Sequence, residues 1–295
     1  MAPDPHTAVK QELLVRYLDY WVPAALHAAR SATYLDGSGY GPAAALRVIV
    51  EFADLLAGRE LAVLVEREPP AAPALPGLRV GPLPDDPPAL VRAAGRSPVL
   101  AHLDGPAVTD PAVTDLAAAL AAASDGELLL VTDPQPGDPR EELYRAGFAY
   151  VVAVELVDRA GTAQLLRFAT SADHSLERFK DELWAVDAYA GIRYRDPAEP
   201  DAIPLDISYE PHPGGLRRAL LAYLAESAQV GPGQAESAHG AARTVAELRR
   251  FALTRTLYRP ADVPRALGPL LSRGAVVREP ARGRLTAATR VRLAG

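Results

Sequence analysis

The chain's clearest chemical signal is Asp36-Gly37-Ser38-Gly39-Tyr40-Gly41, which closes an apolar run beginning at Ala32 and leads directly into Pro42. Glycines at alternate positions let backbone pass close to a ligand, and the leading carboxylate adds a fixed acceptor, as at the first loop of a nucleotide-binding sheet. The same spacing also serves plain tight turns. A second acid, Glu66, ends the run Leu61 to Val65 about 25 residues past the central glycine, where such sheets place a carboxylate on a ribose diol. Glu68 is its substitute, and the alternative is that both acids only solubilise a strand end. Cofactor contacts are therefore expected at Asp36, Gly37, Ser38, Gly39, Tyr40, Gly41 and Glu66. His102 and Asp104 end a further apolar run and, two apart in an alternating strand, share a face. Asp104 would hold an acceptor or a cofactor amino group. His102 would act as a general base near neutral pH, or else sit in the core bonded to backbone.

Composition removes several chemistries. The 295 residues contain no cysteine, so disulfides, thiolate metal sites, iron-sulfur clusters and cysteine nucleophiles are excluded. Six histidines stand apart with no H-x-x-x-H pair, so no metal site is expected. No G-x-S-x-G elbow appears, against a serine hydrolase of the usual α/β type. No apolar run approaches a membrane span and the amino terminus lacks a signal-peptide core, which gives the expectation of a cytoplasmic protein without membrane contact. Only Lys10 and Lys180 are lysines, so arginine richness is discounted as codon bias. Its distribution is nonetheless uneven. Residues 241–295 carry twelve arginines against Glu247, Asp262 and Glu279, a formal +9 on a chain of net −6.

The elements that must position these residues follow from periodicity. Strands are expected near 32–36, 61–66, 77–81, 98–104, 127–133, 148–156 and 162–170, and helices at 7–29, 43–56, 87–94, 111–123 and 139–145. Lys10, Tyr17 and Trp21 lie on the first helix, which would lid the glycine loop and bring Lys10 to the chemistry beside His102 and Asp104; Tyr17 and Trp21 also suit ordinary core contacts. Pro69 to Pro76 is too proline-rich for a helix. The last two strands are joined by Arg159-Ala160-Gly161-Thr162, which allows an antiparallel hairpin and no crossover.

Five strand-and-helix units closed by an antiparallel hairpin resemble the class I S-adenosylmethionine-dependent methyltransferases more than the nicotinamide dehydrogenases. Two patches narrow the likeness: His6-Thr7-Ala8-Val9-Lys10 with Tyr17, Trp21 and Tyr34-Leu35-Asp36-Gly37, and Phe179-Lys180-Asp181-Glu182-Leu183-Trp184-Ala185-Val186-Asp187. These resemble the three-Cys-motif partner proteins, whose name refers to cysteines of an associated radical enzyme. The resemblance implies a seven-stranded Rossmann-like α/β methyltransferase sheet over 31–190, preceded by a helix at 1–30. It also implies S-adenosylmethionine as cofactor, with an unidentified methyl acceptor. The chain departs from that pattern where Ser38-Gly39-Tyr40-Gly41-Pro42 stands for Phe-Ala-Gly-x-Gly, and where His102-Leu103-Asp104-Gly105-Pro106 stands for Asp-Pro-x-Gly. A non-catalytic partner protein, or a nucleic-acid-binding protein, retaining the fold is the alternative.

After a helix and linker at 191–240, with the linker at 229–240, the carboxyl-terminal 241–295 reads as helix 246–256, helix 260–271, a stop at Gly274, and strands 276–279 and 284–293. That is the outline of a winged helix. Arg255, Arg259, Arg265, Arg273, Arg282 and Arg284 would be phosphate contacts if it binds nucleic acid, and a protein partner is the other expectation.

Overall fold

The computed structural model describes residues 4–105, 110–187, 191–199, 203–226 and 242–294. The chain forms two compact units, Met1–Tyr209 and Glu210–Gly295. The expected linker at 229–240 lies outside the described residues, as does Pro106.

In the first unit, Asp4 caps helix α1 (Pro5–Ala28) by accepting from the Thr7 N–H, and Pro5 occupies the first turn, where its missing donor costs nothing. There follow β1 (Ser31–Gly37), α2 (Pro42–Glu51), β2 (Glu60–Val65), β3 (Leu78–Pro82), α3 (Pro87–Ala94), β4 (Val99–Asp104), α4 (Pro111–Ala122), β5 (Gly126–Thr132), α5 (Glu141–Ala146), β6 (Tyr150–Val157), β7 (Ala163–Thr170) and α6 (Asp173–Ala185). All seven expected strands form, in the spatial order β3-β2-β1-β4-β5-β7-β6. The first five are parallel, and β7 is antiparallel to both neighbours. Two short strands, β8 (Arg193–Arg195) and β9 (Leu205–Asp206), extend the β6 edge to nine strands among the described residues. Their three and two residues are too few to give a periodic signal, so the sequence reading stops at seven. Helix 139–145 begins later than expected because Asp138 accepts from the Arg140 N–H and Nε, holding the preceding residues in a turn.

The sheet separates two layers. One face packs on α3, α4 and α5 through a continuous apolar core that includes Leu35, Leu64, Val99, Leu128 and Leu130. The other lies under α1, α2 and α6, and there α1 buries His6, Lys10 and Tyr17 along with its apolar residues. Each of the three polar groups meets a different strand. His6 Nε2 donates to the Leu156 carbonyl (3.0 Å), Lys10 Nζ pairs with Asp104 (2.5 Å), and the Tyr17 hydroxyl donates to Glu127 (2.6 Å). Asp104 ends β4 whereas Glu127 begins β5, so α1 runs from the carboxyl edge of the sheet to its amino edge. The reach agrees: Lys10 to Tyr17 spans about 10 Å of helix, and the matching strand interval is about 13 Å. The two patches quoted above meet on this face, where Phe179 of α6 stacks on Phe168 at 4.1 Å and edges onto Tyr17 at 5.5 Å.

The second unit comprises α7 (Gly214–Glu226), β10 (Arg243–Thr244), α8 (Val245–Arg255), a 3₁₀ turn (Pro260–Asp262), α9 (Val263–Ser272), β11 (Val276–Glu279) and β12 (Arg290–Leu293), with sheet order β10-β12-β11. A Thr244–Glu247 capping box starts α8. The last strand is shorter than the expected 284–293 because Thr286 and Thr289 bracket and pin a turn immediately before it.

Burial pushes the Glu127 carboxyl up to about 7, against the partial relief of bonds from Ser175 and Tyr17. An acid raised on folding binds more protons in the native than in the unfolded chain. This group's contribution is therefore full below about pH 4.5, declines as pH rises toward 7, and is flat above that. Glu127→Gln is expected to flatten the decline and to gain stability on the order of 1–3 kcal/mol at pH 7.5 relative to pH 4.5. Urea titrations at the two pH values, followed by fluorescence, check it; Trp21 and Trp184 both lie in the first unit and report on it alone.

Candidate functional site

The carboxyl ends of β1 and β4 are neighbours, while the chain leaves β1 toward β2 on one side and β4 toward β5 on the other. A crevice opens at such a switch point, outside the strand ends. The glycine loop, His102 and Asp104 all stand at it, and Glu66 follows the end of β2 next door.

Asp36 organises the loop. It is 1% exposed. Its Oδ1 accepts from the Ser38 N–H (2.8 Å) and hydroxyl (2.7 Å), and Ser38 Oγ in turn accepts from the Gly41 N–H (2.9 Å). Its Oδ2 accepts a short bond from the Tyr34 hydroxyl and lies 3.6 Å from His102 Nδ1. Burial alone would raise the Asp36 carboxyl, but the His102, Tyr34 and Ser38 interactions outweigh it and hold it below the usual range. Both oxygens are thus engaged within the protein, and Asp36 acts on any ligand through the loop it shapes. Gly41 has to be glycine here, because a Cβ would stand 2.2 Å from Asp36 Oδ2. Gly39 takes φ +72°, a conformation that side chains rarely adopt, with the Arg67 guanidinium beside it. A Cβ on Gly37 would meet Leu103 at 2.8 Å and Glu66 Oε2 at 3.6 Å, so the exposed Glu66 turns its carboxylate toward the loop across the end of β1.

The polar chain continues through β4. His102, fully buried, has Nδ1 3.4 Å from the Tyr34 hydroxyl and Nε2 3.1 Å from the Tyr40 hydroxyl. The Tyr34 proton is committed to Asp36, so the Tyr34 oxygen and the Asp36 carboxylate both face Nδ1 as acceptors. That arrangement sets a proton at Nδ1, while the single Tyr40 proton has two alternative acceptors, His102 Nε2 and the Asp104 carboxylate. Tyr40 also bonds Asp104, and its phenol is pushed far up by burial first and then by the Asp104 and Asp36 charges. Asp104 pairs with the buried Lys10, whose ammonium lies 5.0 Å from the Tyr40 ring centre. Tyr34, Asp36, His102, Tyr40, Asp104 and Lys10 form one connected network.

The structure therefore brings Lys10, Asp36, Tyr40, His102 and Asp104 together, with Ser38 inside the loop and Glu66 at its margin. Glu68 is exposed beyond Glu66. Sequence reading missed Tyr34 and Arg67; the i, i+2 spacing of Tyr34 and Asp36 in one strand was the signal for the first. Among the arginines of the second unit, Arg255, Arg273, Arg282 and Arg284 are exposed. Arg259 is buried in a two-pronged pair with Asp262 (3.1 and 3.2 Å), and Arg265 is held by Glu210 (3.1 Å), Asp262 (3.7 Å) and the Pro211 carbonyl. Those two serve the fold of their own unit. Among the described residues no acid and histidine cluster suits a metal ion, and no helix is long and apolar enough to cross a membrane.

No family model matches the sequence, and no curated protein does. Solved structures similar to this chain include EvdMO1 (15% identity, TM-score 0.33, covering 58% of this chain and 44% of that one). MnmC2 from Aquifex aeolicus is similar at 14% identity and TM-score 0.32, covering 54% of this chain and 61% of that one. A putative tRNA (m1A22) methyltransferase, Sp1610 of Streptococcus pneumoniae, is similar at 12% identity and TM-score 0.30, covering 84% and 97%. This chain thus matches less than two thirds of the length of the first two. Likenesses this distant transfer no substrate, cofactor or activity.

Removing one member of a buried ion pair strands the other, at a cost of about 3 kcal/mol. Lys10→Met is expected to lose about that much in denaturant titrations read by tryptophan fluorescence, and Lys10→Met/Asp104→Asn to recover more than half of it. Equal losses in the single and double variants would show that packing, not charge, holds the amino end of α1.

Proposed function

We propose that the first unit binds S-adenosylmethionine and transfers its methyl group to an acceptor seated beside Tyr40 and Asp104. The observation that carries this reading is the strand order β3-β2-β1-β4-β5-β7-β6 with an antiparallel β7, combined with a glycine loop, a strand-two acid and a strand-four Asp at the same switch point. The residues fit a nucleoside cofactor: Glu66 turns its carboxylate toward the glycine loop from the end of β2, on the side where a ribose diol would lie. Bound there, the cofactor would supply an electrophilic methyl on a sulfonium and would depart as the neutral thioether once the methyl–sulfur bond is broken.

The protein's part is alignment and proton removal. As the acceptor's lone pair forms the new bond, its proton passes to the Tyr40 oxygen while the Tyr40 proton moves to His102 Nε2. Asp36 and the Tyr34 oxygen, already set against Nδ1, stabilise the imidazolium. Tyr40 stays a phenol before and after the step, in keeping with its raised pKa. Lys10 holds Asp104 in place to receive the acceptor.

Kinship to the three-Cys-motif partner proteins is part of the proposal, supported by His6, Lys10 and Tyr17 being the residues that fasten α1. So is a winged-helix identity for the second unit, supported by its helix–strand–helix–helix–strand–strand order with the last strand central.

Calorimetric titration with S-adenosylmethionine, S-adenosylhomocysteine and NAD is expected to show micromolar binding of the sulfonium pair alone. Glu66→Ala and Asp36→Ala should each weaken it at least tenfold, about 1.4 kcal/mol, the first by removing an acceptor and the second by releasing the loop. Unchanged affinity in both variants would discard the site. Silence from all three ligands would leave a repurposed sheet acting through macromolecular partners.

A further inference from the structure

The arginines of the first unit are repeatedly matched to acids: Arg16 with Glu12, Arg140 with Asp138, Arg145 with Glu141, Arg178 with Glu182 and Arg195 with Glu155. Codon bias gives a chain many arginines, but it does not decide which of them remain unmatched. The β11–β12 hairpin of the second unit carries five, Arg278, Arg282, Arg284, Arg290 and Arg292, against one acid, Glu279. Arg282, Arg284 and Arg290 are exposed, and among the described residues none of them forms an ion pair. Strand register adds a direction. Glu279 opposes Arg290 and Val277 opposes Arg292, so these four share the outward face, while Val276, Arg278, Val291 and Leu293 share the inward one.

Helix α9, the element after the turn in a helix–turn–helix, is different. Its solvent-facing positions are Pro264, Arg265, Gly268, Pro269, Leu271 and Ser272, and its single cation is already tied to Glu210, Asp262 and the Pro211 carbonyl. No side chain on that helix offers the bidentate donor or amide that reads a base edge. The available charge is on a two-stranded ribbon, a shape that a duplex groove admits and whose arginines suit phosphates.

We infer that the second unit binds duplex nucleic acid through the β11–β12 hairpin, with Arg282, Arg284 and Arg290 on backbone phosphates and α9 contributing no sequence readout. The inference stands independently of the cofactor reading. Its consequence is binding that depends steeply on salt and little on sequence.

The test uses the full chain and fluorescein-labelled 20-base-pair DNA and RNA duplexes of two unrelated sequences, with anisotropy read between 25 and 200 mM salt. Arg282→Ala/Arg284→Ala/Arg290→Ala is compared with Arg30→Ala/Arg47→Ala/Arg145→Ala, which removes the same charge from exposed positions of the first unit. Circular dichroism checks that both fold. The expected result is sequence-independent binding at low salt, weakened at least tenfold and with a salt slope reduced by about 2 to 3 in the hairpin variant, and little changed in the control. Three results overturn the inference: no binding of either duplex at 25 mM salt, equal loss in the two variants, or equal competition by poly-glutamate at matched charge, which would make the hairpin a surface for acidic protein.

Discussion

Helix α1 can lie across the sheet only because three polar groups beneath it find partners on three separate strands. Burying a lysine, a histidine and a tyrosine hydroxyl without partners would cost several kcal/mol each, enough to lift the helix off the sheet. Placed as they are, Lys10 at the end of β4, His6 on β6 and Tyr17 at the start of β5 fix the helix in translation and in rotation. The apolar residues between them supply the area, and the polar ones select a single position. Everything at the crevice depends on that position, since Lys10 sets Asp104, and Asp104 with His102 sets the Tyr40 hydroxyl.

The same logic recurs inside the loop. A carboxylate that the sequence presents as a ligand group is occupied by its neighbours, and its effect is to make a defined cradle from four residues of backbone. An ionised Asp36 in a site this dry needs three donors, and Tyr34, Ser38 and His102 are the donors present. Of the six residues in the network, Tyr40 and Asp104 are the two that are partly exposed, on the acceptor side of the crevice.

The parallel sheet was legible because β1, β2, β4 and β5 are buried along most of their length and read as mainly apolar runs, with proline- and aspartate-started helices after β1, before β4 and before β5. The hairpin was legible from the four-residue connection before β7. The positions of His102 and Asp104 followed from the two-residue repeat. What sequence could not give was partnership: whether the Asp36 oxygens face outward or inward depends on Tyr34 and His102, one residing in the same strand and the other 66 residues away. Arg259 shows the same limit, for in sequence it is one cation among twelve and only folding ties it to Asp262. Strands of two or three residues, such as β8 to β10, carry no period at all and form because longer strands beside them offer unpaired backbone.

Those short strands have a bearing on assembly. A sheet of this size exposes a row of backbone donors and acceptors at each end, a standing invitation to add a strand from another chain. At one end β3 offers only five residues, with Arg79 exposed and Pro82 lacking an N–H; at the other, β9 is two residues long and follows Pro204. Both edges therefore interrupt the ladder before a neighbour could propagate it, and copies of this chain that meet in a crowded solution are steered toward side-chain contacts and away from cross-β growth.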